Sequence, residues 1–133
     1  MCDTNLGVVA LRGYLYAIGG ANYQEQINFT SVERYDPGSN SWALVADMNY
    51  GRLAHGAATH AGKIYVFGGY GEEVRKLFAI SPILLRYFKG ALKSVEVYDP
   101  DLDTWTLLDS CMPGELSGEG AGAVTSLHKF NLK

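Results

Sequence analysis

Ser31-Val32-Glu33-Arg34-Tyr35-Asp36-Pro37 leads to Trp42, and Ser94-Val95-Glu96-Val97-Tyr98-Asp99-Pro100 leads to Trp105, with the tryptophan seven residues after the tyrosine both times. A shift of 63 residues superposes residues 31–48 on 94–111. Outward from this pair, a shift of 49 lays residues 5–20 on 54–69, carrying Gly7 onto Gly56, Gly13 onto Gly62, Tyr16 onto Tyr65 and Gly19-Gly20 onto Gly68-Gly69. Such self-similarity marks a chain built from repeated supersecondary units, each of which buries its faces on its neighbours. The two shifts differ by 14, so the second unit carries that many extra residues between its glycine pair and its S-V-E-x-Y-D-P segment.

Within a unit the side chains follow a period of two, the period of a strand. In Lys63-Ile64-Tyr65-Val66-Phe67-Gly68-Gly69 both faces are apolar or aromatic, so this strand needs cover on both sides. Strands are predicted at Val8–Ala10, Tyr14–Gly19, Val32–Tyr35 and Trp42–Val45 in the first unit. In the second they fall at Gly56–Thr59, Lys63–Gly68, Val95–Tyr98 and Trp105–Leu108. Asp36-Pro37-Gly38 and Asp99-Pro100-Asp101 supply a side-chain acceptor and then a fixed φ, the chemistry of a tight turn, so the strands pair antiparallel. The paired glycines imply either a close approach of neighbouring backbones or a positive φ.

Composition agrees and excludes other classes. The 133 residues suffice for one modest domain, or a piece of a larger one, with a sizeable core. Sixteen Gly and nine Tyr against four Pro suit short strands joined by tight turns better than helices. Eleven Lys and Arg against 14 Asp and Glu, a net charge of −3, argue against a surface organised around nucleic-acid phosphates. No run of 18 apolar residues and no basic-then-apolar leader is readable, so a soluble cytoplasmic protein is the expectation. Cys2 and Cys111 are too few for a disulfide scaffold and lack metal-ligand spacing, and both are read as ordinary thiols.

A glycine pair, then Tyr-Asp-Pro, then Trp, in two copies, resembles the kelch repeat, in which each repeat forms one four-stranded blade of a β-propeller. The resemblance covers residues 5–111. S-V-E-x-Y-D-P followed by M-x-x-x-R-x-x-H-G, here Met48, Arg52 and His55-Gly56, is similar in particular to the kelch-like proteins. What it implies is an all-β fold, a partial β-propeller of two four-stranded antiparallel kelch blades plus the start of a third. The blades fall at residues 5–48 and 54–111, the second with an insertion near 74–88, and residues 112–133 form a partial third repeat or a divergent tail. Gly122-Ala123-Val124-Thr125 resembles Gly56-Ala57-Ala58-Thr59, but no second strand with a glycine pair follows it.

A closed propeller needs about four to eight blades. No BTB or BACK segment, the domains that kelch-like proteins typically carry ahead of six blades, precedes these two, so the chain is read as a fragment or truncated product. Two blades leave two outward faces uncovered. Exposing about 300 Å² of apolar surface at about 25 cal/mol per Å² forfeits about 7 kcal/mol, comparable to a domain's net stability. Self-association through exposed blade faces is therefore expected.

The resemblance implies a non-catalytic protein–protein interaction module, like the substrate-binding propeller of kelch-like adaptors of cullin-based E3 ubiquitin ligases. A cullin would be reached only through domains outside this sequence. An actin-binding kelch fragment is the alternative, since other members of the family bind actin. In kelch-like propellers the loops after the glycine pair and those entering each blade's first strand gather at one end and bind the partner peptide. Carried onto this sequence, that names Asn22 and Tyr23, then Tyr50, Arg52 and His55, then Tyr70. An arginine fork recognises carboxylates, which points to an acidic protein or peptide, and tyrosines give contact area at little entropic cost. Arg52 is the leading candidate; the competing reading pairs it with a local carboxylate and packs His55 inside.

Other features lead to no chemistry. The insertion is nearly all apolar from Leu77 to Leu85, with Arg75, Lys76, Arg86 and Lys89 around it, but Pro82 interrupts any helix and the run is too short to span a bilayer. It is read as a variant loop, ahead of a partner contact or a membrane-surface segment. His55 and His60 are five apart, which on one strand puts them on opposite faces, so no shared metal is expected. Gly118 to Ala123 matches G-x-G-x-x-A without a preceding strand or a following helix, and is read as a loop. Glu72-Glu73 and Asp99, Asp101 and Asp103 are turn residues, and Ser110 stands where a calcium loop would need a glutamate. Asn28-Phe29-Thr30 is a glycosylation sequon, inert without a secretory route. No cofactor is expected. Two further alternatives are a truncated product without independent function, and a copper oxidase-like propeller enzyme by its likeness to galactose oxidase, for which no matching set of Tyr, His and Cys ligands is found.

Overall fold

A computed structural model describes residues 6–22, 24–25, 27–71 and 90–108, and these form only strands, turns and extended connections. In chain order the strands are β1 (Gly7–Leu11), β2 (Tyr14–Ile18), β3 (Ala21–Asn22), β4 (Ile27–Asn28), β5 (Val32–Asp36), β6 (Ser41–Leu44) and β7 (Arg52–Leu53). There follow β8 (Gly56–His60), β9 (Lys63–Phe67), β10 (Tyr70–Gly71), β11 (Gly90–Ala91), β12 (Val95–Asp99) and β13 (Thr104–Leu107). They make two antiparallel four-stranded sheets of the same construction, β1-β2-β5-β6 and β8-β9-β12-β13, so the chain is a partial propeller of two blades. The expected third repeat and the insertion near 74–88 lie outside the described residues.

Each large strand arises where the period of two is found, and its ends are set by turn chemistry. Arg12-Gly13 and Ala61-Gly62 close the first hairpin of each sheet with φ of 51° and 82°, and 49° and 74°. Two-residue loops with both φ positive match the twist of the strands they join. Asp36 Oδ1 accepts the Gly38 N–H at 2.8 Å, and Asp99 Oδ1 the Asp101 N–H at 2.9 Å, so the aspartates organise the turns as their spacing predicts. The predicted strands ending at Gly19 and Gly68 stop one residue earlier, because both glycines take positive φ, 64° and 65°.

The core lies between the sheets. Tyr16, Ile18 and Val32 of the first meet Ile64, Val66, Tyr98 and Trp105 of the second, with Met48 added from the segment that connects them. Alternation along β9 sends Tyr65 and Phe67 to the opposite side, where they join Ala58, Val95 and Val97 in a second cluster. That outward face is not open as expected: Phe67 and Val95 are each 1% exposed, and Leu108 packs against the cluster. The uncovered face belongs to the first sheet, where Val8, Leu15, Trp42 and Leu44 are 58%, 40%, 53% and 70% exposed.

Polar contacts fix how the sheets sit. The Trp105 indole N–H donates to the Ala46 carbonyl at 2.8 Å, while Asp103 Oδ1 accepts the Ala46 N–H at 3.0 Å and the Tyr98 hydroxyl at 2.8 Å. Burial and that bond to Asp103 push the Tyr98 hydroxyl well above the ordinary phenol range. Arg12 bridges to Asp101 at 2.7 Å across the surface, a pair too exposed to contribute much.

Candidate functional site

Residues 45–53 form a strap from the first sheet to the second. Its start is held by the Val45 N–H on the Val32 carbonyl at 3.0 Å and the Met48 N–H on the Thr30 carbonyl at 2.9 Å. Its end is stitched between the glycine pairs. The Gly20 N–H donates to the Arg52 carbonyl at 2.7 Å, and β7 pairs with β10, setting Tyr70 opposite Leu53. A Cβ on Gly19 would stand 2.7 Å from that same Arg52 carbonyl, so close approach and positive φ both call for glycine there. The segments after both glycine pairs and the entry to β8 thus meet at one end of the two sheets.

Arg52 is the centre of this end, and it is wholly inside. Its Nε and Nη2 donate to Glu96 Oε2 at 3.1 and 3.0 Å, with both side chains 0% exposed. Nη1 donates to the Gly68 and Ser94 carbonyls, each at 3.0 Å, and Nη2 to Ser94 Oγ at 2.7 Å. Glu96 is met from the strap as well: Oε1 accepts the Asn49 N–H at 2.6 Å and its Nδ2 at 2.9 Å, and Oε2 the Tyr50 N–H at 3.3 Å. Buried charges persist when paired and hydrogen-bonded on all sides, and here both are. The arginine expected to reach an acidic partner recognises a carboxylate of its own chain. That carboxylate is far in sequence, on the third strand of the second blade.

The other candidate residues divide between support and surface. His55, just before β8, is 6% exposed, and neither ring nitrogen has a hydrogen-bond partner among the described residues. A Cβ on Gly7 would stand 2.6 Å from its Nε2 and one on Gly69 2.8 Å from its Cβ, so two glycines make the room it occupies. Burial first, then the positive charge of Arg52, lower its pKa to about 4, and the ring is neutral at pH 7. Asn22 is buried, with Oδ1 accepting the Gln24 and Glu25 N–H groups at 3.0 and 3.2 Å, and it organises the turn after β3. Tyr50 is half-buried with the Arg52 guanidinium 5.9 Å from its ring centroid, and Tyr70 is 42% exposed. Tyr23 lies outside the described residues.

Glu96, Ser94 and Asn49 were not among the expected site residues. The signal for Glu96 was a carboxylate between Val95 and Val97, occurring in a doubled motif. No group of three or more His, Cys, Asp or Glu that could hold a metal ion is found among the described residues. This end is a backbone frame held from within by the buried Arg52–Glu96 pair, with Tyr50 half-buried and Tyr70 exposed on it.

The Kelch motif model matches residues 4–49 and 51–112. Kelch-like protein 15 of Danio rerio is 33% identical over 129 residues, which is 86% of this chain and 19% of that protein. Kelch-like protein 35 of Mus musculus is 34% identical over 100 residues (75% and 14%), and Kelch-like protein 23 of Homo sapiens 33% over 117 (87% and 17%). The chain therefore spans between 14% and 19% of the length of these relatives. Among solved structures, that of YjhT has the same fold, with a TM-score of 0.67 at 24% identity over 87% of this chain and 40% of that one. With the motif matched twice, and each match folded as one of two twin sheets, the chain belongs to the kelch-repeat family.

Proposed function

We propose that these two blades belong to a cytoplasmic, non-catalytic propeller that binds a protein or peptide, in the manner of the substrate receptor of a cullin-based ubiquitin ligase. The end formed by Asn22, Tyr50, Arg52, His55 and Tyr70 is the partner-binding end, and Tyr23, next to Asn22 in the sequence, is proposed with them. The observation that carries this is the pairing of β7 with β10, which sets the exposed Tyr70 at the same end as Tyr50 beside a buried charged pair. In this division of labour Tyr50 and Tyr70 touch the partner, while Arg52, His55 and Asn22 hold the backbone that presents them. Rigid aromatic groups on a fixed frame bind at small entropic cost.

The test uses the longer protein that contains this segment, in cells. Tyr70→Ala and Tyr50→Ala are expected to lower recovery of its co-purifying substrate proteins about tenfold, a loss of about 1.4 kcal/mol, while cullin recovery stays constant. An unchanged set of co-purifying proteins, or co-sedimentation with filamentous actin that neither substitution affects, would overturn the proposal. Stoichiometric copper in the purified protein would overturn its non-catalytic part.

A further inference from the structure

The first sheet has two edges, and only one of them is covered. β1 lies against the second sheet, so closely that a Cβ on Gly7 would stand 3.4 Å from that of Ala57 in β8. β6, at the other edge, is exposed at all its positions from Ser41 to Leu44. It pairs with β5, Tyr35 opposite Trp42 and Glu33 opposite Leu44, and the Val45 N–H donates to the Val32 carbonyl at 3.0 Å. Hydrogen-bonded and non-bonded pairs alternate along an antiparallel ladder, so Ser41, Ala43 and Val45 bond inward to β5. Trp42 and Leu44 therefore turn their N–H and carbonyl groups away from the sheet.

Such a row of outward groups is a template for another strand, and native sheets blunt it with charge, proline or cover. β6 has none of these. From Gly38 to Ala46 no residue is charged and none is proline. The corresponding edge of the second sheet, β13, is blunted: Asp103 precedes it where Asn40 precedes β6, and the outward Trp105 carbonyl accepts Asn49 Nδ2 at 3.4 Å. The Trp42 carbonyl has no such side-chain donor among the described residues.

We infer that β6 is a docking edge for β6 of a second copy of this chain, the two strands antiparallel with Ala43 on the twofold axis. The edge is self-complementary, which selects this occupant. Setting Trp42 of one copy opposite Leu44 of the other uses every outward N–H and carbonyl of both strands in hydrogen-bonded pairs. The same register puts Ala43 opposite Ala43 in a non-bonded pair, where the strands approach closely and a small side chain fits. Trp42 and Leu44 share a face, so two aromatic–aliphatic cross-strand contacts form as well. Glu33 lies one strand further in, so its two copies stand three strand spacings, about 14 Å, apart and do not oppose the joint. A strand of unrelated sequence could meet the backbone groups but not this side-chain register. The joint uses an edge rather than a face, leaves Val8 and Leu15 open, and is independent of the partner-binding end.

Sedimentation velocity of the full chain across a concentration series tests it. A reversible species of twice the 14.5 kDa chain mass is expected. Leu44→Pro removes an outward donor while leaving the bonds to β5 in place, and Ala43→Lys sets two ammonium groups opposite each other on the axis. Each should raise the dissociation constant about tenfold or more. Both positions are exposed, so the variants keep the fold, which near-ultraviolet circular dichroism checks. Val8→Lys, on the face of the sheet at the far edge, should leave the association unchanged. A chain that stays monomeric, association indifferent to either β6 variant when folded, or association that Val8→Lys abolishes, overturns the inference.

Discussion

Replacing Arg52 by methionine removes a charge while keeping an unbranched stem, and the structure gives the scale of the effect. The guanidinium donates to Glu96, Gly68 and Ser94 at 2.7 to 3.1 Å from a side chain with no exposure. Deleting one partner of a buried ion pair costs about 3–5 kcal/mol, chiefly because the other charge is left in a poor environment. Glu96 keeps three donors from Asn49 and Tyr50, at 2.6, 2.9 and 3.3 Å, which places the loss near the lower end, about 3 kcal/mol. A domain's whole stability is about 5–15 kcal/mol, so this is a large share. With a urea slope of about 1–3 kcal/mol per molar, the unfolding midpoint should fall by about 1–3 M. Glu96→Gln combined with Arg52→Met should cost less than the sum of the two single changes, by about 2 kcal/mol, because the double variant strands no charge. An Arg52→Met chain within about 1 kcal/mol of the parent would refute the buried pair. The fork would then be free to meet an external carboxylate, as its sequence context first implied.

Three further outcomes follow from the geometry. His55 has a pKa of about 4 in the folded chain against 6.5 as its ordinary value, so the unfolded chain binds the proton first. Its contribution is full above pH 6.5 and lost as pH falls to about 4, about 3 kcal/mol in all. His55→Gln should flatten that limb of a stability–pH curve, and an unchanged slope would assign it to other groups. Trp105→Ala should cost about 3–5 kcal/mol by urea unfolding and Trp42→Ala less than about 1, because only the first is buried and hydrogen-bonded; equal costs would mean the two sheets do not stack as described. Gly69→Ala places a Cβ at a φ of 81° and 2.6 Å from the Leu53 carbonyl, so thermal unfolding should shift down by roughly 10 °C or more, and a neutral outcome would show that the β7–β10 pairing is loose.

The repeated unit, its strands and its turns were legible because each rests on local chemistry. Alternation sets β9, Asp36 and Asp99 cap their own turns, and Arg12-Gly13 and Ala61-Gly62 fit two-residue hairpins. The placement of Arg52 was not, since nothing within a few residues of it says whether its partner is inside or out. Its carboxylate is on β12, and only the register Val95 opposite Phe67, Glu96 opposite Val66 turns Glu96 toward the strap. The nearest clue was compositional, a charge held between two valines. The outward face of the second sheet was misjudged for a related reason: counting blades treats both ends alike, while Phe67 and Val95 are buried and Val8 and Leu44 are bare.

The two copies of the motif separate what a sequence encodes from what a neighbour completes. Tyr35–Trp42 and Tyr98–Trp105 have the same ring spacing and the same turn acceptor, so those features belong to the unit and need no partner. Burial of the tryptophan, the bond from its indole and the pairing of the glutamate exist only where a strap crosses the sheet. The strap is therefore as much a part of the second blade as its own strands are, and Arg52 acts as the tie that locks one unit onto the next. A blade of this kind carries its receiving chemistry on one face and its strap at its end, which makes the stacking directional. Directionality is what lets such units add in one sense around a ring.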